Sequence, residues 1–254
     1  MKDRIIKELD NIEQTHSVKI IYACESGSRA WGFASKDSDY DVRFVYAHPF
    51  DWYLSIVEKK DVIEIPVNGK LDISGWDIRK SLRLMRKSNS PLLEWLSSPI
   101  VYKNVKPAVN PFYELSRRAF LPESSCHHYL SMARRRITTF KHEQDVKIKS
   151  YLYAVRTILC CKWIIERLNQ PPMLIQHLLK EYLPTGKIRN FVDKLIHLKA
   201  NESESTKIKR SLHFEDYMNE EFKSLDAKIP KNPDKIPIKE FDSVLKEILG
   251  KINK

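Results

Sequence analysis

"GSRAWGFASKDSDYDVRFVY", Gly27 to Tyr46, decides how the rest of the chain is read. It opens on a Gly-Ser turn, runs through a short segment of helical character, and ends in an alternating run that predicts a strand over Asp39–Ala47. On a strand, side chains at i and i+2 share a face, about 7 Å apart. Asp39 and Asp41 therefore share a face, with Tyr40 and Val42 on the other. Two carboxylates that close repel, and partial burial raises the cost. A bound divalent cation is the simplest compensation, and hard carboxylate oxygens suit Mg²⁺ or Mn²⁺.

Upstream, "VKIIYACE" (18–25) is a continuous apolar run of strand length. Downstream, "VIEIPVNGKLDIS" predicts two strands joined at Asn68-Gly69, a strong hairpin signal. Its second arm turns Asp72 away from Leu71 and Ile73. If that hairpin pairs beside the Asp39–Asp41 strand, three carboxylates converge, as two metals about 3.5–4 Å apart require for in-line displacement at phosphorus. The Gly27-Ser28 turn fits the same chemistry. Glycine admits close backbone approach, helix-start N–H groups bind phosphate, and Ser28 adds a hydroxyl. Asp77 is placed as the N-cap of the helix "DIRKSLRLMRKS" and left out of the metal set.

The chain has 254 residues, 42% hydrophobic and 30% charged, the balance of a folded globular protein. No apolar run is long enough to cross a bilayer, and "MKDRIIKELD" reads as an amphipathic helix rather than a signal peptide, so a cytoplasmic location is expected. None of Cys24, Cys126, Cys160 and Cys161 forms a C-x-x-C pair, so reduced thiols are expected. "CHHY" at Cys126–Tyr129 fits zinc poorly and reads as surface. Residues 1–100 carry 15 Lys+Arg against 15 Asp+Glu; residues 101–254 carry 29 against 18, the whole of the net +11. A basic half beside a neutral half suits a polyanionic partner, although a solvated helical surface gives the same excess. After about residue 105 no convincing strand follows, and helices are expected at 124–144, 147–169, 174–183, 187–199 and 212–226, with a terminal amphipathic helix. The expected fold is α+β: a small mixed sheet with flanking helices over 1–105, then an all-helical domain over 106–254.

Gly27-Ser28, Asp39-x-Asp41 and a later strand Asp resemble the nucleotidyltransferase superfamily of DNA polymerase β. The likeness is closer to the polymerase-β-like nucleotidyltransferases associated with RNA ligases in RNA repair operons. "LDISGWDIRKSLRLMRKSNSPLLEWLSSPIVY" and "KIKSYLYAVRTILCCKWI" extend it over most of the chain. The resemblance implies Mg²⁺- or Mn²⁺-dependent transfer of a nucleoside monophosphate from an NTP, with ATP the expected nucleotide, under a helical domain that closes the nucleotide cleft. It implies that Asp39 and Asp41 hold the metals, that Asp72 completes the site and helps deprotonate the attacking hydroxyl, and that Gly27 and Ser28 grip the β- and γ-phosphates. RNA ends are the first-choice acceptor, with small-molecule or protein adenylylation next. A non-enzymatic nucleotide or RNA binder is the rival from another class.

Arg43 falls on the Asp41 face, where it pairs with Asp72 or Glu64 or contacts phosphate. If it neutralises the carboxylates, metal binding is opposed. In the helical half, "ARRRITTFKHEQDVKIKSYLYAVR" supplies Arg134, Arg135, Arg136, Lys141, Lys147, Lys149 and Arg156. Lys149, Tyr153 and Arg156 share a helix face. Toward a cleft, Lys149 clamps a triphosphate and Tyr153 stacks on the base; toward solvent, they do nothing specific. Oligomeric state has no sequence signal.

Overall fold

A computed structural model describes residues 1–140 and 143–252; Lys141 lies outside the described residues. In chain order the elements are α1 (Lys2–His16), β1 (Lys19–Glu25), α2 (Gly27–Trp31), β2 (Tyr40–Ala47), α3 (Phe50–Tyr53), β3 (Val62–Asn68), β4 (Leu71–Asp77), α4 (Ile78–Met85), α5 (Ser90–Leu96), β5 (Val101–Asn104) and α6 (Lys106–Arg118). There follow α7 (Pro122–Phe140), β6 (Asp145–Lys147), α8 (Ile148–Arg167), α9 (Ile175–Tyr182), α10 (Lys187–Asn201), β7 (Lys207–Lys209), α11 (Leu212–Asp226) and α12 (Ile238–Ile252).

The chain forms two compact units. The first holds Met1–Gly27, Asp39–Phe120 and Asp234–Lys254; the second holds Ser28–Ser38 and Leu121–Pro233. This division departs from a cut at 105/106, because α6 and α12 pack on the sheet unit. Phe112 and Leu115 of α6 and Phe241, Ile248 and Leu249 of α12 are buried with Tyr22, Cys24 and Val45 of the strands. The 28–38 segment, meanwhile, belongs with the later helices.

The first unit is built on a five-stranded mixed sheet of order β3-β4-β2-β1-β5. β2 is antiparallel to β1 and parallel to β4, and β3 and β5 close the edges antiparallel to β4 and β1. The β3–β4 turn falls at the expected place, with Gly69 at φ 67°. β4 alternates buried and half-buried positions, so Leu71 and Ile73 enter the core under α1 while Asp72 and Ser74 face the other way. Gly75 is required within the strand: a Cβ there would lie 2.2 Å from the ring of the buried Phe44. Asp77 caps α4 as expected, its carboxylate accepting from the Arg79 N–H at 2.8 Å and the Tyr53 hydroxyl at 2.7 Å. Its burial raises its pKa.

The second unit is organised around α8, whose Tyr151, Leu152, Val155, Ile158, Leu159 and Cys160 are fully buried. The Tyr151 hydroxyl donates to Glu215 Oε1 at 2.7 Å, and Glu215 in turn pairs with Arg210 at 2.6 Å. Two features were not anticipated. The three-residue strands β6 and β7 pair antiparallel, a short ribbon inside an otherwise helical unit. Cys126 is buried in α7 rather than on the surface, and among the described residues no disulfide joins the four cysteines. No helix among the described residues is long and apolar enough to cross a membrane.

Candidate active site

The site is built where β2 and β4 begin side by side. Parallel pairing puts Asp41 directly opposite Asp72, with Val42 opposite Ile73 and Arg43 opposite Ser74. The hairpin therefore pairs beside the strand that carries the first acidic residues, and two carboxylates meet on one face across about 4.8 Å of backbone. Asp39 lies just before β2, which begins at Tyr40, and is exposed.

Backbone contacts fix Asp41 tightly. Its N–H donates to Glu25 Oε1 at 2.9 Å, and its carbonyl accepts from the Ser26 N–H at 2.8 Å. Glu25 is fully buried and also accepts from the Tyr102 hydroxyl. Sequence reading missed Glu25, because a carboxylate at the end of an apolar run carries no periodic signal. Gly27 sits at φ 61°, and a Cβ on it would stand 2.0 Å from Asp41 Oδ2. The glycine is thus needed twice, for its backbone conformation and for the carboxylate packed against it.

Arg43 lies between the two acids. Its Nη2 donates to Asp72 Oδ2 at 2.7 Å and approaches Asp41 Oδ1 at 3.4 Å; its Nη1 donates to the carbonyls of Val42 and Asp72 at 3.0 and 3.1 Å. Arg43 and Asp72 border a cavity of about 520 Å³ that Glu64 and Ser74 also line. Among the described residues no set of three or more His, Cys, Asp or Glu side chains is grouped to hold a metal ion. The donor chemistry of Asp41 and Asp72 suits a hard divalent cation, but Arg43 engages one oxygen of each.

The remaining expected residues lie in the second unit. The Ser28 hydroxyl is buried and faces Ser38 Oγ at 3.3 Å, in a serine cluster with Ser35 that the Arg29 guanidinium ties down through the Ser38 carbonyl at 2.7 Å. Lys149 pairs with Glu204 at 3.0 Å. Burial would raise the Glu204 pKa, but the hydrogen bond from Lys149 and the charge of Lys199 bring it below its ordinary value. Tyr153 packs against Trp31 and Phe33, ring centres 5.0 and 5.9 Å away. Arg156 faces neither solvent nor an open surface. It is 2% exposed, its guanidinium lies 3.4 Å from the Met173 carbonyl, and it covers the Trp31 ring at 4.5 Å. Helical spacing shows which residues share a face, not which face is buried.

Comparison with known proteins agrees with the sequence resemblance. The uncharacterized protein YcgL of Bacillus subtilis (strain 168) is 50% identical over 204 residues, covering 80% of this chain and 78% of that one. A crystal structure of a nucleotidyltransferase-like protein from Exiguobacterium sibiricum 255-15 aligns over 89% of this chain and 74% of its own at 13% identity, with a TM-score of 0.31. The family model described as the RNA repair pathway DNA polymerase beta family matches residues 1–247. With its acidic strand pair and Gly-Ser turn, the chain belongs to the RNA repair pathway DNA polymerase beta family.

Proposed function

We propose that the protein transfers a nucleoside monophosphate from an NTP, with ATP the first candidate, to a hydroxyl at an RNA end. One observation carries this reading: Asp41 and Asp72 face each other in register on adjacent parallel strands, with Gly27 packed against the Asp41 carboxylate. Asp41 and Asp72, joined by Asp39, would hold Mg²⁺ or Mn²⁺. Such cations, when bound, neutralise phosphate charge and align the attacking and leaving oxygens.

The chain's own residues do the rest. Glu25 and Ser26 hold the Asp41 backbone, so its carboxylate is oriented before substrate arrives. Asp72 would accept the proton of the attacking hydroxyl. Gly27 keeps the backbone bare of a side chain where a phosphate would approach. Within the second unit, Ser28 and Lys149 are proposed to contact phosphate and Tyr153 to contact a base. For Lys149 this means exchanging Glu204 for phosphate. The basic excess after residue 100 supports RNA as the acceptor through its phosphates.

A second reading, a nucleotide or RNA binder without chemistry, is favoured by the Arg43 contacts to both carboxylates. Incubation with Mg²⁺, each NTP labelled at the α-phosphate and a pool of short RNAs separates the two. Label in RNA supports the proposal; label on the protein or on an added small hydroxyl compound redirects it to adenylylation. No label in any acceptor, with NTP binding indifferent to chelator, establishes the binder.

A further inference from the structure

We infer that Arg43 is a built-in counter-cation that occupies the divalent-cation position between Asp41 and Asp72 and must turn aside for a metal ion to enter. The inference rests on the reading of those carboxylates as metal ligands. Without a cation, the two acids would repel each other as like charges across neighbouring strands. Arg43, two residues past Asp41 on the same face, resolves that repulsion within the chain. Nη2 carries the contacts to both acids, at 2.7 and 3.4 Å.

The guanidinium is held by two different sets of contacts. Nη1 is fixed to the carbonyls of Val42 and Asp72, which no metal ion needs. Nη2 meets the carboxylates, and its 3.4 Å approach to Asp41 is long for a hydrogen bond. The arrangement is an anchored base with one exchangeable arm. The side chains of Arg43, Asp41 and Asp72 are 18%, 31% and 36% exposed, so an entering cation reaches all three. Metal affinity is then the carboxylates' intrinsic affinity reduced by the strength of the Arg43 contacts, a competition that closes the site when divalent cations are scarce.

The test is Mn²⁺ binding alone, without nucleotide, followed by the electron paramagnetic resonance signal of the free ion. Wild type is compared with Arg43→Gln, Arg43→Lys and Asp41→Asn, and thermal melts are recorded with and without Mn²⁺. Removing the guanidinium should tighten Mn²⁺ binding about tenfold, within the usual range of coupling between linked sites. It should also lower the melting temperature without metal and enlarge the rise that Mn²⁺ produces. Arg43→Lys, which keeps the charge but loses the fork, should tighten binding by a smaller factor, and it decides the matter if Arg43→Gln does not fold. Equal or weaker Mn²⁺ binding in the Arg43 variants, with binding still lost in Asp41→Asn, overturns the inference and leaves the metal site standing. Binding that Asp41→Asn does not change in any background removes the carboxylate site itself, and the inference with it.

Discussion

A side chain on Gly27 would bring its first carbon within 2.0 Å of Asp41 Oδ2. Gly27→Ala therefore strains a backbone at φ 61° and pushes the carboxylate out of place. The strain costs about 1–2 kcal/mol of stability. The expected outcome is a modest fall in melting temperature with a much larger loss of nucleotidyl transfer, about 100-fold. Parallel melting and transfer assays read the two effects separately. A loss of stability with transfer intact would detach Gly27 from the site.

Gly75 tests the sheet rather than the site. Its Cβ would enter the Phe44 ring, so Gly75→Ala overpacks the β2–β4 contact. The expected cost is about 2 kcal/mol. Denaturant unfolding should show a lower midpoint with an unchanged slope.

His48 stacks on Trp52 with ring centres 4.0 Å apart. Burial first, then the charges of Lys59 and His16, lower its pKa from 6.5 to about 4. As pH falls below 6.5 the unfolded chain takes up the proton before the folded one, so stability drops until about pH 4 and then levels off. His48→Phe should flatten that part of the melting-temperature profile. An unchanged slope between pH 6.5 and 4 in the variant would show that other groups set the acid sensitivity.

Lys199 is 2% exposed, its Nζ makes no hydrogen bond among the described residues, and Glu204 is 3.6 Å away. Burial lowers its pKa, against the pull of Glu204. Glu204 keeps Lys149 as a partner at 3.0 Å when Lys199 is removed. Lys199→Met should therefore stabilise the protein by about 1 kcal/mol at neutral pH. The gain should shrink as pH rises toward 10.5, because the lowered pKa makes the folded lysine give up its proton before the unfolded one does. Thermal melts across that range check both the sign and the trend.

What the sequence disclosed and what it hid follow one physical line. Local chemistry was legible: Asn68-Gly69 turns the hairpin and Asp77 caps α4. The acidic pattern and the Gly-Ser turn led to the family. Non-local choices were hidden. β5 is only four residues long and exists by pairing with β1. α6 carries Pro107 and Pro111, which masked a helix held by its packing on the sheet. That Arg43 would choose both acids rather than Glu64 depended on a parallel register that no short segment encodes. Arg156 shares its helix face with Lys149 and Tyr153, but its own guanidinium packs against Trp31 and Met173.

Asp41 and Asp72 are proposed to act together in transfer to an RNA end. The most direct test of that joint role is extension of a 5′-labelled RNA with a free 3′-hydroxyl, resolved on a denaturing gel, with Mg²⁺ and NTP. Wild type is set against Asp41→Asn and Asp72→Asn, each checked for a normal melting transition. Wild type should lengthen the RNA, a blocked 3′ end should abolish extension, and each folded variant should lose at least about 100-fold in rate. Equal extension by wild type and both variants would contradict that role.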